Sequence, residues 1–223
     1  MLTQVQKVLV FPSRIFDDYY SFLHWDEIHE RLQEIQDSYL WLDRLEAEQA
    51  NDLVQPIACA FIRDSEGRYC VLKRVQNSRI DLRGKVSLIV GGHVDKSDDN
   101  DSFADVLLNN LTRELDEELA IVDGDLPKPI GVIVDHSSIF ASRHIAFVHE
   151  ISAQSIDPRA PEEFSKRSKL TGQYLPAGRL AKLRGVMDPW SKLSLDEFIC
   201  LDGIRKALFG LKLPELGRSS LIS

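Results

Sequence analysis

Apolar and polar positions along the chain switch repeatedly between a period of two and a period near 3.6 residues, the patterns of half-buried strands and amphipathic helices. QKVLVF (6–11) predicts a strand, and Ile28, Leu32, Ile35, Leu42 and Leu45 recur at helical spacing, predicting one amphipathic helix over 26–49. QPIACAFIRD (55–64) runs apolar, DSEG turns, and RYCVLKR (68–74) returns, which together predict a hairpin. KVSLIV (85–90) is a further strand ending at Gly91-Gly92, and Ser102 is a good cap for a helix reaching about Leu119. On that helix Ala104, Leu107, Leu108, Leu111 and Leu115 form the apolar arc. PIGVIVD (129–135) and RHIAFVHEI (143–151) are two more strands. The polar stretch 157–172 predicts a loop, QYL (173–175) a short strand, and 177–183 and 194–209 two helices before a frayed end. Interleaved strands and helices imply helices covering both faces of a mixed sheet, an α/β (α+β) fold.

The chain's 223 residues suit one main domain with an added element. No apolar run is long enough to span a membrane, and the start lacks the features of a cleaved leader, so a cytoplasmic protein is expected. Cys59, Cys70 and Cys200 are scattered without metal-ligand spacing, which predicts reduced, buried thiols. A net charge of -8 argues against an extended nucleic-acid surface. The basic run KRSK (166–169) reads as a solvated loop able to guide an anionic ligand.

Charge is most concentrated between 91 and 121, where Glu114, Glu117 and Glu118 follow a run of aspartates. Their spacing puts all three carboxylates on one side of a helix, at the edge of its apolar arc. Like charges gathered at the rim of a core call for a cation. Oxygen donors favour a hard divalent ion, Mg2+ before others, which keeps several waters and bridges to phosphates. A solvated acidic face is the alternative for the hexapeptide taken alone.

A strand ending in Gly-Gly, then a loop, then Arg-Glu-Leu-x-Glu-Glu on a helix resembles the Nudix box, G-x5-E-x7-R-E-U-x-E-E-x-G-U with U a bulky apolar residue. GKVSLIVGGHVD, RHIAFVHEI and DPWSKLSLDEF extend the resemblance to a group of MutT-related phosphoesterases over most of the chain. The resemblance implies a Nudix-like α/β/α sandwich with a central mixed sheet over 55–210, preceded by an N-terminal strand-helix extension (1–54) and followed by a tail (211–223). It implies that Glu114, Glu117 and Glu118 hold Mg2+ (or Mn2+) with the Gly91 carbonyl, that Arg113 orients the glutamates, and that Gly92 is the first glycine of the box. His93 is placed to touch a substrate phosphate or to cap its loop.

Two positions depart from the pattern. Asp98 stands at the first glutamate position counted from Gly92, but Arg113 then falls seven residues late. If the insertion lengthens the helix, Asp105 is the equivalent, since it precedes Arg113 by the family's separation; if the loop alone grows, Asp98 is. On the long-helix threading, removing 98–104 should be tolerated. Ala120 replaces the final glycine, which predicts a helix running past it toward Gly124.

The implied activity is that of a Nudix-type pyrophosphohydrolase: hydrolysis of a phosphoanhydride in a nucleoside diphosphate linked to another moiety. Its substrate would be a nucleotide-type small molecule, and a homodimer stays open. Glu150, Glu162 and Glu163 are candidates for an extra acidic group. One alternative is a catalytically impaired Nudix-like domain that binds a nucleotide or nucleotide sugar and regulates a partner. Another, isomerisation of an allylic diphosphate, would want a pocket cysteine, whereas Cys59 and Cys70 fall on core strands. Arg44 and Glu48 read as a helix salt bridge, and His144 and His149 as residues on opposite faces of one strand.

Overall fold

The computed structural model describes residues 6–75, 82–122, 124–159, 164 and 168–199. Strand β1 (Lys7–Pro12) has Val8, Leu9, Val10 and Phe11 fully buried, so apolar groups cover both of its faces. β2 (Ser21–His24) precedes α1 (His29–Ser38), β3 (Leu40–Asp43) and α2 (Arg44–Gln49). The single helix expected over 26–49 is therefore three elements. Leu40–Asp43 pairs antiparallel with β1, Lys7 opposite Asp43, because a buried strand edge must find backbone partners. That demand overrides the helical period, and Leu45 is left 70% exposed.

The centre of the molecule is β4 (Leu53–Arg63), nearly all buried. It turns through Gly67 into β5 (Tyr69–Lys73), and the next strand is broken at Leu88 into β6 (Val86–Ser87) and β7 (Ile89–His93). Helix α3 (Phe103–Glu118), β8 (Leu119–Val122), β9 (Lys128–Val134), β10 (His144–Ser152), β11 (Ser155–Pro158) and β12 (Gln173–Leu175) follow, then α4 (Ala177–Leu180) and α5 (Pro189–Leu193), which leads into a π-helical turn at Ser194–Ile199. In the sheet the order is β12-β5-β4-β10-β9-β2, with β7 along the other edge of β4. β4 is parallel to β10 and antiparallel to β7, Ala58 facing Phe147 on one side and Gly92 on the other. The expected terminal helix is described only to Ile199; the rest of it and Cys200 lie outside the described residues.

Alternation along β4 sorts the two faces. Ala58, Ala60 and Ile62 join Leu9, Phe11, Leu107, Leu111 and Leu115 in one core cluster, while Ile57, Cys59 and Phe61 join Leu180, Met187, Leu195 and Ile199 in another. Helical segments thus cover both faces of a mixed sheet. The arc of α3 is shifted from the expected one: Phe103, Val106, Leu107, Asn110, Leu111 and Leu115 are buried, while Ala104 and Leu108 are exposed. The helix does not run on toward Gly124. It stops at Glu118, and Ala120 pairs with Asp157 in the β8–β11 ladder, where extended backbone suits alanine and no left-handed glycine is needed.

Candidate active site

Two glycines bring the edge of the sheet against α3. At Gly91, φ is +150°, and a Cβ there would overlap the Ala58 carbonyl oxygen and come within 2.6 Å of the Cys59 Cα on β4. At Gly92 a Cβ would instead overlap the Glu114 carboxylate. The missing side chain is the space in which Glu114 lies. The two residues thus serve different ends, Gly91 the strand pairing and Gly92 the carboxylate.

Arg113 holds this arrangement from below. Its Nε and Nη2 donate to the two oxygens of Asp98 at 2.9 and 3.0 Å, Nη1 donates to Glu114 at 2.9 Å and Glu117 at 3.4 Å, and Nη2 also reaches the His93 carbonyl at 3.2 Å. Paired donors of this kind are charge-assisted and directional. Asp98 is only 2% exposed. Burial alone would raise its pKa, but bonds from Arg113, the Asp95 amide and Asn110 outweigh that and hold it below the usual carboxylate range. Glu114 goes the other way: burial pushes its carboxyl up, and the attraction of Arg113 only partly offsets this.

The insertion is a folded turn. Asp95 caps a 3-10 turn over Lys96–Asp98, Asn109 donates to the Asp98 carbonyl at 3.2 Å, and Asn110, fully buried, donates to Asp98 at 3.0 Å and to the His93 carbonyl at 2.7 Å. Asp98, not Asp105, therefore meets Arg113. Asp105 is exposed at the start of α3, bonded to the capping Ser102, about 12 Å along the helix from Arg113 at 1.5 Å per residue.

Glu114 and Glu118 line a cleft of about 300 Å³, whose other walls include Gly91, Gly92, His93, Asp135, Phe140 and Trp190. Glu117, with its side chain 60% exposed, stands at the rim next to Arg113. Among the described residues no three His, Cys, Asp or Glu side chains form a ready-made metal cage. A hard ion that retains several waters needs fewer protein donors, and the Gly92 cradle beside two cleft carboxylates fits one.

His93 Nε2 lies 3.0 Å from His144 Nε2, and His144 Nδ1 lies 2.7 Å from the Phe140 carbonyl. Bonding to that carbonyl makes His144 Nδ1 the donor, so between neutral rings His93 donates to His144. His93 thus ties the glycine strand to the start of β10, where His144 in turn holds the Phe140 carbonyl of the preceding loop. His149, on the opposite face of β10, lies against Trp25. Cys59 is in the cleft wall even though it sits on a core strand, but burial holds it firmly as a thiol.

No family model matches the chain. It is 27% identical to protein YmaB of Bacillus subtilis (strain 168) over 173 residues, 76% of this chain and 82% of that protein. The MutT protein from Methanosarcina mazei Go1 aligns with 67% of this chain and 95% of its own, at 18% identity and a TM-score of 0.45. Tm1382, solved as a candidate Nudix hydrolase, superposes on 87% of this chain and 99% of its own, at 20% identity and a TM-score of 0.67. The chain has the Nudix fold.

Within the Nudix fold, the residues singled out in sequence fall into three groups. Gly91, Gly92, Glu114 and Glu118 meet in the cleft, and Arg113, Asp98 and Glu117 form the supporting ion-pair network beside it. His93 also lines the cleft, and Asp105 stands apart from it. Glu150 is bonded to Arg63 at 2.7 Å, and Glu162 and Glu163 lie outside the described residues. Arg44 does pair with Glu48 at 3.3 Å, yet it also reaches the cleft mouth. Sequence reasoning passed over Asn110, although its place three residues before Arg113 on the same helix face was a usable signal. It also passed over Asp135 and Phe140, which carry no local signal, and it gave Asp188 and Trp190 no role, although their segment, DPWSKLSLDEF, was part of the resemblance.

Proposed function

We propose that this Nudix-fold protein is a Mg2+-dependent pyrophosphohydrolase acting on a nucleoside diphosphate linked to another moiety. The observation that carries the reading is the Gly92 cradle: a bare backbone position shaped around the Glu114 carboxylate, in a cleft shared with Glu118. A partly buried carboxylate whose ionisation is disfavoured is a poor surface feature and a good partner for a cation.

Glu114 and Glu118 would hold the ion, with Glu117 entering from the rim and the Gly91 carbonyl available beside them. When bound, Mg2+ (or Mn2+) supplies neutralisation of the diphosphate oxygens and acidification of a water. Arg113 orients Glu114 and Glu117 and is itself held by Asp98, so the departure from glutamate at that position preserves the support. Arg44 and Arg74 line the cleft and bring positive charge to it for phosphate oxygens, while His93, also in its lining, is engaged with His144. Such a division, with the protein supplying position and charge, is typical of phosphoryl chemistry. Among the described residues no helix is long and apolar enough to cross a membrane. The free, buried thiols of Cys59 and Cys70 agree with a reducing, cytoplasmic setting.

The test is a panel of nucleotide sugars, dinucleotide polyphosphates, dinucleotide cofactors and nucleoside triphosphates, incubated with Mg2+ and with excess chelator. Release of a mononucleotide from one class, abolished by chelator, is expected. Binding of a panel member without turnover would favour the regulatory domain, and full turnover in chelator would refute the metal's role.

A further inference from the structure

The cleft has lining residues that the proposed hydrolytic set leaves unused. Asp135, at the end of β9, is 1% exposed and lines the cleft wall. One of its oxygens accepts from the Ser137 amide at 2.8 Å, while Oδ2 has no hydrogen-bond partner among the described residues. Nearby Asp188 also lines the cleft, but Ser191 occupies both of its oxygens, the amide at 2.8 Å and the hydroxyl at 2.7 Å. A buried carboxylate oxygen without a donor is costly, and a bound ligand is one way to supply it.

Charge and shape narrow the ligand. A phosphate is disfavoured beside Asp135, so this part of the cleft suits the organic end of a substrate. Phe140 and Trp190 line the same cleft, their ring centroids 6.2 Å apart and their planes at 41°. A ring held between two others needs about 7 Å, two contacts of about 3.5 Å each. The pair is too close and too tilted for that, and His144 already stacks on one face of Phe140 with centroids 3.9 Å apart, so a flat ring has only one wall, the other face of Phe140 and Trp190, to lie against.

We infer that Asp135, with the Phe140–Trp190 wall, binds the nucleobase of the substrate by accepting a hydrogen bond from a ring N–H or exocyclic amino group. The inference rests on the reading of the cleft as a nucleotide site and adds a specificity residue to it. Asp135→Asn is informative for a geometric reason. The Ser137 amide needs an acceptor, so the Asn carbonyl oxygen takes that place and its NH2 replaces Oδ2, putting a donor where an acceptor stood.

The experiment is calorimetric titration in Mg2+ with the four nucleoside 5′-monophosphates, ribose 5-phosphate and phosphoethanolamine. The wild type should bind at least one mononucleotide at least tenfold more tightly than ribose 5-phosphate. Asp135→Asn should erase that preference and leave ribose 5-phosphate binding unchanged. Trp190→Leu should weaken the mononucleotide in the same selective way, which covers the case of an Asp135 variant that fails to fold. An unchanged preference in a folded Asp135→Asn, an equal loss for ribose 5-phosphate, no mononucleotide binding by the wild type, or tightest binding of phosphoethanolamine would each overturn the assignment. Turnover of the panel is read separately: base-selective binding without hydrolysis would sink the enzymatic reading alone, and hydrolysis indifferent to the base would sink this inference alone.

Discussion

Adjacent glycines in the cleft should respond differently to the same methyl group. At Gly92 an added Cβ meets the end of a flexible side chain, so Gly92→Ala should fold with a midpoint near wild type while displacing Glu114, lowering turnover by ~10²-fold or more. At Gly91 the obstacle is the backbone of β4 and the conformation is one that L side chains avoid, so Gly91→Ala should cost roughly 2 kcal/mol or more of stability. Thermal melts of both variants beside their rates check the pair. Equal stability loss in the two would contradict the separate roles. Glu118→Gln keeps the size of a cleft side chain and removes its charge; it should also cost ~10²-fold in rate with the fold intact. An unchanged rate would remove Glu118 from the site.

At the scale of elements, α3 and the turn before it behave as one unit. Shortening the insertion by removing 98–104 would delete Asp98, the partner of Arg113 and Asn110, and Phe103, which is 2% exposed and stacks edge-on against Phe11 and Phe147. The long-helix threading expects this deletion to be tolerated, whereas the packing of Asp98 and Phe103 predicts the opposite. The deletion should prevent cooperative unfolding altogether, seen as loss of the near-ultraviolet dichroism. The milder Asp98→Ala leaves Arg113 half-buried without its main partner and should destabilise by ~2–4 kcal/mol. A denaturant midpoint indistinguishable from wild type would show that Asp98 supports nothing.

Across the whole molecule, two carboxyls give stability opposite dependences on pH. Asp98 has a folded value below its ordinary 3.8, so its contribution is present above that value and is lost as pH falls through the folded one. Glu114 is raised above 4.5. Its favourable term is complete below 4.5 and is lost as pH rises through the folded value, so the ionised group costs stability near neutrality. Metal-free Glu114→Gln should therefore melt at or above wild type at pH 8, and that advantage should vanish near pH 4. Mg2+ should raise the wild-type midpoint at pH 8 and leave that of the variant nearly unmoved. A metal-free variant melting well below wild type at pH 8 would show that Glu114 is held by its pairing with Arg113 more than it is strained by burial.

What the sequence by itself determined is what local pattern encodes. The β4–β5 hairpin, the strand running into Gly91-Gly92, and α3 with its three glutamates were legible because each depends on periods of two or 3.6 residues and on short fixed spacings. Tertiary structure decided the rest. Nothing within 26–49 announces that Leu40–Asp43 must complete the edge of β1, and spacing alone left Asp98 and Asp105 equivalent until the turn around Asp98 closed onto Asn110 and Arg113. The far wall of the cleft is more remote still: Ser191 donates its hydroxyl to Asp188 and accepts from the Leu88 amide 103 residues away. Contacts of that separation depend on which strands lie side by side in the sheet, and that order is set by burying two apolar faces at once, which no local window of the chain contains.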